Sequence, residues 1–467
     1  MIDYSKLLKA DTGQAARAIN IIDKAGYEGW LSAQPERART AVGAQGFKAS
    51  AGSHAIIPGE QSDDWTVIAC VADPGKLTSW CLAKLAEVLP EGAYRLADRD
   101  DIGLSAYGWL MAQYRFDRYR AKPEDSPAGP RVLLTKDVAR IEPTVRLARA
   151  THLLRDLVNT PTADMGPHDL EKAAKDVAKR QEAHFHVTRG DALEQEYPMI
   201  HAVGRAADRA FAPRLIEMEW GNPAHPRVSV IGKGVCFDSG GLDIKPGSAM
   251  RLMKKDMGGA AHALALAQLI MESRLPVRLH LLIPAVENAI SGNAFRPGDI
   301  LSTRKGIRVE VDNTDAEGRL VLGDALTRAM EDEPELVIDF ATLTGAARVA
   351  LGPDLPALFA NDDDLGRALA DAGAATDDPV WQLPLWQPYE DMLKSDIADT
   401  LNSGEGGFAG AITAALFLQK FVNKEVKWAH FDTFAWRPSP RPGRPKGGAA
   451  LGLRAAFAML ETRYPRG

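Results

Sequence analysis

The chain has 467 residues, 45% hydrophobic and 25% charged, and a net charge of −6. That length suggests two or three domains with an ordinary globular composition, and the charge gives no electrostatic reason to expect nucleic acid or an anionic membrane as the main partner. Three cysteines, Cys70, Cys81 and Cys236, are too few for a disulfide framework and fit a reducing compartment. Nothing after Met1 resembles a basic-then-apolar leader, and no run of about 18 apolar residues occurs, so a cytoplasmic chain without a membrane span is expected.

In chain order, residues 1–140 read as a smaller N-terminal α/β domain. Trp65–Val71 is strand-like, while Leu77 to Leu89 and Ile102 to Tyr119 carry helical spacing, the second rich in core-type aromatics. Residues 120–130 form a Pro/Gly-rich, charged break before the strand-like Arg131–Leu134. Val138 to Val158 reads as one long helix, with Pro143 near its start where proline is tolerated, and residues 141–160 are taken as the connector between domains.

Residues 161–467 alternate. Helical pattern at Pro167–Lys179, Gly259–Ser273 and Gly410–Phe421 is separated by strand-like Ala183–Thr188, Arg214–Trp220, Arg227–Ile231, Val277–Pro284 and Leu336–Phe340. This predicts a larger α/β domain whose central sheet is mixed, largely parallel and flanked by helices. In such sheets ligands sit beyond the carboxyl ends of strands, where Lys233 and Thr342–Gly345 fall. His184 and His186 could pair on a metal but have no other ligand type nearby, so an ordinary strand is favoured there. The basic, proline-rich 437–448 is read as an ordered surface or interface loop.

Chemistry concentrates in three stretches. Asn313–Leu320 sets Asp315 and Glu317 two residues apart, then Gly318 and Arg319, between apolar flanks. If the segment is extended, the two carboxylates point to one side, and Gly318 permits a turn. Such a pair is either a solvated acidic edge or a cation site, and the flanks favour the latter because buried charges need partners or metals. The other stretches are Gly232–Pro246, with Lys233, Asp238 and Lys245, and Met250–Ala260, with Met253 and Asp256. Histidine is missing from all three. Oxygen-rich sites suit manganese or magnesium, and zinc also accepts carboxylates. Cys236 could supply a thiolate but reads better as a small buried hydrophobe. The chain lacks GxxxxGK[ST], HExxH and GxSxG.

Together these motifs resemble the cytosol (leucine) aminopeptidase family, two-metal peptidases of the leucyl aminopeptidase and peptidase B type. The resemblance covers roughly the C-terminal two thirds. It implies a metallopeptidase catalytic domain over 161–467 that releases leucine and other, mainly apolar, N-terminal residues. It implies that Lys233, Asp238, Asp256 and Glu317 hold one divalent ion, and that Asp238, Glu317 and Asp315, with its backbone carbonyl, hold the other. It further implies that Lys245 polarises the scissile carbonyl and that Arg319 holds a bicarbonate ion as proton shuttle. Met253, Thr342 and Gly345 match positions lining the pocket for the first side chain. A homohexamer acting on peptides is the implied assembly. Two rivals are a two-metal phosphoesterase, which usually adds histidines, and a binding protein on an inherited scaffold, which a complete metal and catalytic set makes a poor main function.

Overall fold

The computed structural model describes residues 2–466 except 62, 98, 122–128 and 405. Most of the Pro/Gly-rich break therefore lies outside the described residues. The chain divides into two compact units, Met1–His152 with Ser439–Lys446, and Leu153–Pro438 with Gly447–Gly467. The division falls inside the helix Ile141–Asn159, and part of the basic loop groups with the first unit.

The first unit holds a six-stranded sheet, in spatial order Leu8–Ala10, Arg131–Thr135, Gly92–Leu96, Arg17–Ile22, Trp65–Cys70 and His54–Pro58. All neighbours are parallel except the last pair. Here the helical reading overreached. Only Ala83–Val88 is α-helix within Leu77–Leu89, and only Ser105–Met111 within Ile102–Tyr119. The apolar residues outside those turns, such as Leu77, Ile102 and Tyr114, are buried by tertiary packing in turns and loops, which can mimic helical spacing.

The second unit is built on a nine-stranded sheet. From edge to edge it runs Trp381–Gln382, Ala357–Ala360, Lys427–Asp432, Leu336–Ala341, Arg227–Gly232, Arg278–Asn288, Arg214–Trp220 and His184–Arg189. Gly234–Asp238 pairs beside the C-terminal half of Arg278–Asn288. The central strands from Lys427–Asp432 to Arg278–Asn288 are parallel to one another, and the antiparallel pairings lie outside them. Parallel strands covered on both faces read as continuous apolar runs, and Val228–Ile231 and Leu336–Phe340 are buried throughout. The helix Gly258–Glu272 is buried over nearly its whole length. The consequence for chemistry lies at one sheet end. The parallel strands and their partner Gly234–Asp238 all finish there, delivering Asp432, Thr342, Lys233, Asn288 and Asp238 to a common rim.

Candidate metal centre

Lys233 leaves the strand Arg227–Gly232, and Asp238 ends the next one. Between Asp238 and Lys245 the chain turns through Gly240 and Gly241, whose φ of 88° and 65° lie in the left-handed region that glycine enters freely. Asp256 sits in the short 3-10 helix Met253–Met257. The stretch 313–320 departs from the extended reading. Asp315 lies in a turn, its N–H donating to Asn313 Oδ1 at 2.8 Å, and Glu317 opens the helix Glu317–Met330. A turn followed by a helix start brings the two carboxylates to one side, in place of strand alternation. The apolar Leu320, Val321, Leu322 and Leu326 behind an acid in the first turn are a helix-start signal that could have been read from the sequence.

Gly318 also has a different purpose from the turn expected of it. It is the second residue of that helix, and a Cβ there would sit 2.5 Å from Lys233 Cε. Its missing side chain is the channel through which Lys233 reaches the acids. Lys233 Nζ lies 2.7 Å from Asp256 Oδ2 and 2.9 Å from Glu317 Oε1, and donates to Thr342 O at 3.2 Å. Lys245 Nζ lies 2.8 Å from Asp238 Oδ2 and also pairs with Asp315. A third lysine, Lys255, reaches Asp256 Oδ1 at 2.8 Å.

The electrostatics of this group are unbalanced. Burial opposes the charge on Lys233, but Asp256, Glu317 and Asp238 outweigh it and hold its ammonium well above the usual lysine range. Lys245 is raised in the same way, with Asp238 and Glu317 outweighing burial. Among the acids, Asp256 is held low because Lys233 and Lys255 overcome burial. Glu317 is pushed up to about 8 by burial and by Asp238, and Asp315 to about 6 for the same two reasons. Among the described residues Glu317 Oε2 has no partner, while Glu317 Oε1 and Asp315 Oδ1 have only the ammonium groups of Lys233 and Lys245. Carboxylates that are buried, crowded and short of donors call for further positive charge. Ligand atoms of Asp238, Asp315 and Glu317 lie within 4.8 Å of one another. All-oxygen donors at this spacing fit hard divalent cations.

Residues from distant parts of the second unit hold the acids in place. Asn288 Nδ2 donates to Asp238 Oδ1 at 2.9 Å. The Thr314 N–H donates to Asp243 Oδ2 at 2.7 Å, and the Asp243 N–H to Thr314 Oγ1 at 2.9 Å, which locks two of the motifs together. Asn402 Oδ1 accepts from the Asp312 and Asn313 N–H groups, and its Nδ2 donates to Asn313 O at 2.7 Å. Asp432 accepts the Leu343 and Thr344 N–H groups and the Thr344 hydroxyl, shaping the loop after Leu336–Ala341. None of these braces was singled out from sequence, because each is fixed by a partner about fifty to ninety residues away.

All the predicted site residues except Glu317 line one cleft of about 520 Å³: Lys233, Asp238, Lys245, Met253, Asp256, Asp315, Arg319, Thr342 and Gly345. Glu317 is buried beneath it, against Lys233. Arg319 donates through Nη1 to Asn402 O at 2.7 Å, and no other guanidinium hydrogen bond is found among the described residues. Burial brings its pKa down to about 10, against Glu317 and Asp432. Cys236 points elsewhere. It is buried, its thiol is raised by burial, and its Sγ donates to Gly234 O at 3.6 Å. His184 and His186 lie on the edge strand, as an ordinary strand requires.

Comparison with known proteins agrees with the resemblance read from the motifs. The profile of the cytosol aminopeptidase family's catalytic domain matches residues 152–457, and that of the M17 aminopeptidase N-terminal domain matches residues 18–128. A probable cytosol aminopeptidase of Roseiflexus castenholzii is 44% identical over 368 residues, 76% of this chain and 75% of that relative. The crystal structure of the cytosol aminopeptidase from Coxiella burnetii matches with a TM-score of 0.92 at 48% identity, covering 98% of this chain and 99% of that one. The bottromycin maturation enzyme BotP, solved in complex with Mn, matches at 0.86 with 31% identity, covering 96% and 100%.

The close approach at Gly318 supplies a test of the geometry. Gly318→Ala should displace Lys233 and weaken binding of Mn2+ by roughly tenfold or more, the scale on which residues supporting metal ligands act. Thermal stability should fall, because the helix gain of up to about 1 kcal/mol from alanine is smaller than the loss of the buried Lys233 ion pairs. Calorimetric titration of both proteins checks this, and equal affinities would contradict the role given to Gly318.

Proposed function

Since the chain belongs to the cytosol aminopeptidase family and is a hydrolase of the aminopeptidase class, we propose that it releases N-terminal residues from peptides at a centre of two divalent cations. The observation that carries this reading is the buried cluster of Asp238, Asp256, Asp315 and Glu317 around Lys233 and Lys245, with Glu317 Oε2 lacking any partner among the described residues. Lys233, as the neutral amine that nearby dications would favour by displacing its proton, would hold one cation together with Asp238, Asp256 and Glu317. Asp238, Glu317 and both the carboxylate and backbone carbonyl of Asp315 would hold the other. Asp256 stands apart from the tight group of Asp238, Asp315 and Glu317, which supports its serving only the Lys233 side. Mn2+ or Zn2+, with Mg2+ as a further candidate, suit these donors. Bound there, two such ions would supply an activated water, relief of charge on the carbonyl oxygen and an anchor for the substrate's free amine.

The chain's own residues do the rest. Lys245, paired with Asp238 and Asp315 at the cleft wall, is placed to donate to the oxygen that gains charge as the tetrahedral intermediate forms. Arg319 is fixed by Asn402 and lines the cleft, and its planar fork suits a bicarbonate ion that would carry the proton. Met253 gives the pocket for the first side chain an apolar, adaptable wall beside Thr342 and Gly345, which supports acceptance of leucine and other apolar residues. We place the enzyme in the cytoplasm as a homohexamer. Exposed Trp381, Trp386, Ile397 and Phe408 on the second unit supply apolar surface that assembly would cover. Among the described residues no helix is long and apolar enough to cross a membrane.

Acetylation of the substrate's α-amine should abolish cleavage of leucyl p-nitroanilide, because the anchoring nitrogen's lone pair is then delocalised into the acetyl carbonyl; comparable turnover of the acetylated compound would rule out exopeptidase action. Lys245→Ala should lower kcat on the order of a hundred- to a thousand-fold while KM and metal content change little, since its ammonium works mainly in the transition state. Steady-state kinetics with metal analysis checks this. Loss of a metal ion from Lys245→Ala would make Lys245 a ligand instead.

A further inference from the structure

Lys255 is the lysine of the centre to which the chemistry above gives no task. Its side chain is buried, and its Nζ lies 2.8 Å from Asp256 Oδ1, the oxygen that also accepts the Thr342 hydroxyl at 2.8 Å. The other oxygen, Asp256 Oδ2, lies 2.7 Å from Lys233 Nζ. Among the described residues Lys255 has no second acid within ion-pair distance, and the Phe434 ring centroid lies 5.7 Å from its Nζ. Asp256 thus has a positive neighbour on each oxygen, and the two differ in what happens when cations arrive. Lys233 gives up its proton to become a ligand, so the charge of the ion replaces its own. Lys255 stays on the far oxygen as an ammonium, one carboxylate's width from a dication. With the acids ionised and the centre empty, four negative charges face the three ammonium groups of Lys233, Lys245 and Lys255, a deficit of one positive charge. With two dications bound and Lys233 neutral, the same four acids face the four charges of the ions and two more from Lys245 and Lys255, a surplus of two. Arg319 and Asp432 line the same cleft and contribute equally to both states. Lys245 has a use for its charge in the loaded state, at the oxygen of the tetrahedral intermediate, and Lys255 has none.

Resting on the two-cation reading, we propose that Lys255 is the counter-ion of the empty centre: it holds Asp256 while no cation is bound and, once one is bound beside Lys233, repels that ion and speeds its release. Two effects of Lys255 on the bound ion compete. Its hydrogen bond orients Asp256, which favours binding, and its charge repels a dication, which opposes it. Orientation survives without Lys255. The Thr342 hydroxyl reaches both Asp256 Oδ1 and Asp256 O, the latter at 2.9 Å, and the acid is fixed in the 3-10 helix Met253–Met257. The repulsion acts in a buried site, where water and salt screen it weakly. Repulsion therefore decides the sign, and the net effect of Lys255 is looser binding. In the empty centre the sign reverses. Without Lys255 the buried Asp256 would depend for charge on Lys233 alone, an ammonium that Glu317 shares, and such a loss destabilises a buried ionic group.

The test measures Mn2+ binding and release by the full chain, unaltered and as Lys255→Gln, Lys255→Met and Lys255→Arg. Glutamine removes the charge and keeps a hydrogen-bond donor, methionine removes both, and arginine keeps the charge. In calorimetric titration of the metal-stripped protein, one of the two Mn2+ dissociation constants should fall by roughly tenfold or more in Lys255→Gln, and release of that ion to excess EDTA should slow by a similar factor. Lys255→Met should behave likewise, and Lys255→Arg should stay close to the unaltered chain. Metal-free Tm should move the opposite way, lower in Lys255→Gln, with the gap closing as Mn2+ is added. A lysine that only positioned Asp256 would weaken binding when lost, so the tightening separates the two roles. Unchanged or weaker Mn2+ binding by folded Lys255→Gln overturns the proposal while leaving the two-cation reading intact. If Lys255→Gln folds only with Mn2+ bound, the counter-ion role is borne out, and the EDTA release rate from the loaded variant decides the rest. An unaltered chain that binds no Mn2+ would remove the two-cation reading and this proposal with it.

Discussion

Four carboxylates buried together at the end of a parallel sheet are the constraint on which the second unit depends. Charges taken out of water are tolerated only with partners, and removing one member of such a group leaves its neighbours uncompensated. Lys233 and Lys245 meet part of the need, each touching two acids. Glu317 Oε2 is left without a partner among the described residues, and the close grouping of Asp238, Asp315 and Glu317 is the strongest physical argument that cations belong there. The surrounding fold can be understood as what this concentration of charge requires. Strands end together so that their following residues converge, a helix begins at Glu317 so that its carboxylate points inward, and Gly318 gives up a side chain to let Lys233 pass.

Rigidity comes from a ring of polar braces outside the acids. Asn288 holds Asp238, the Asp243–Thr314 pair ties the glycine-rich loop to the turn before the helix, Asn402 fixes Asn313 and Arg319 together, and Asp432 orders the Thr342–Gly345 loop. All of these side chains except the exposed Asp243 are buried, and most of the bonds use backbone groups that would otherwise go unpaired. Braces of this kind hold the acids in register for cations, which is what catalytic preorganisation demands.

Much of the second unit was legible in the sequence, and for identifiable reasons. Long apolar runs such as Val228–Ile231 and Leu336–Phe340 announce buried parallel strands, and the acids and lysines stand in long motifs with specific order. What escaped was set by distance. Asn402 and Asp432 carry no local signature, since their partners lie far along the chain. The helix start at Glu317 was masked by treating two acids two residues apart as a strand pattern, although the apolar spacing behind them fits a helix. In the first unit, strands such as Leu8–Ala10 and Gly92–Leu96 are short and mixed in polarity, and buried residues in turns imitated helical spacing. The charge of the pocket wall was hidden as well. Lys255 and Arg348 lie far apart in sequence, yet both line the cleft and approach the Phe434 ring.

The central claim is that Asp238, Asp256, Asp315 and Glu317 form a two-cation centre. A crystal of the Mn2+-loaded chain, with data collected at the manganese absorption edge, tests it most directly. The account predicts two anomalous peaks per chain, about 3.5–4 Å apart as in other two-metal sites, one between Lys233 and Asp256 and the other beside Asp315, with Glu317 touching both. No peak among these residues, or a single peak that Glu317 does not touch, would contradict it.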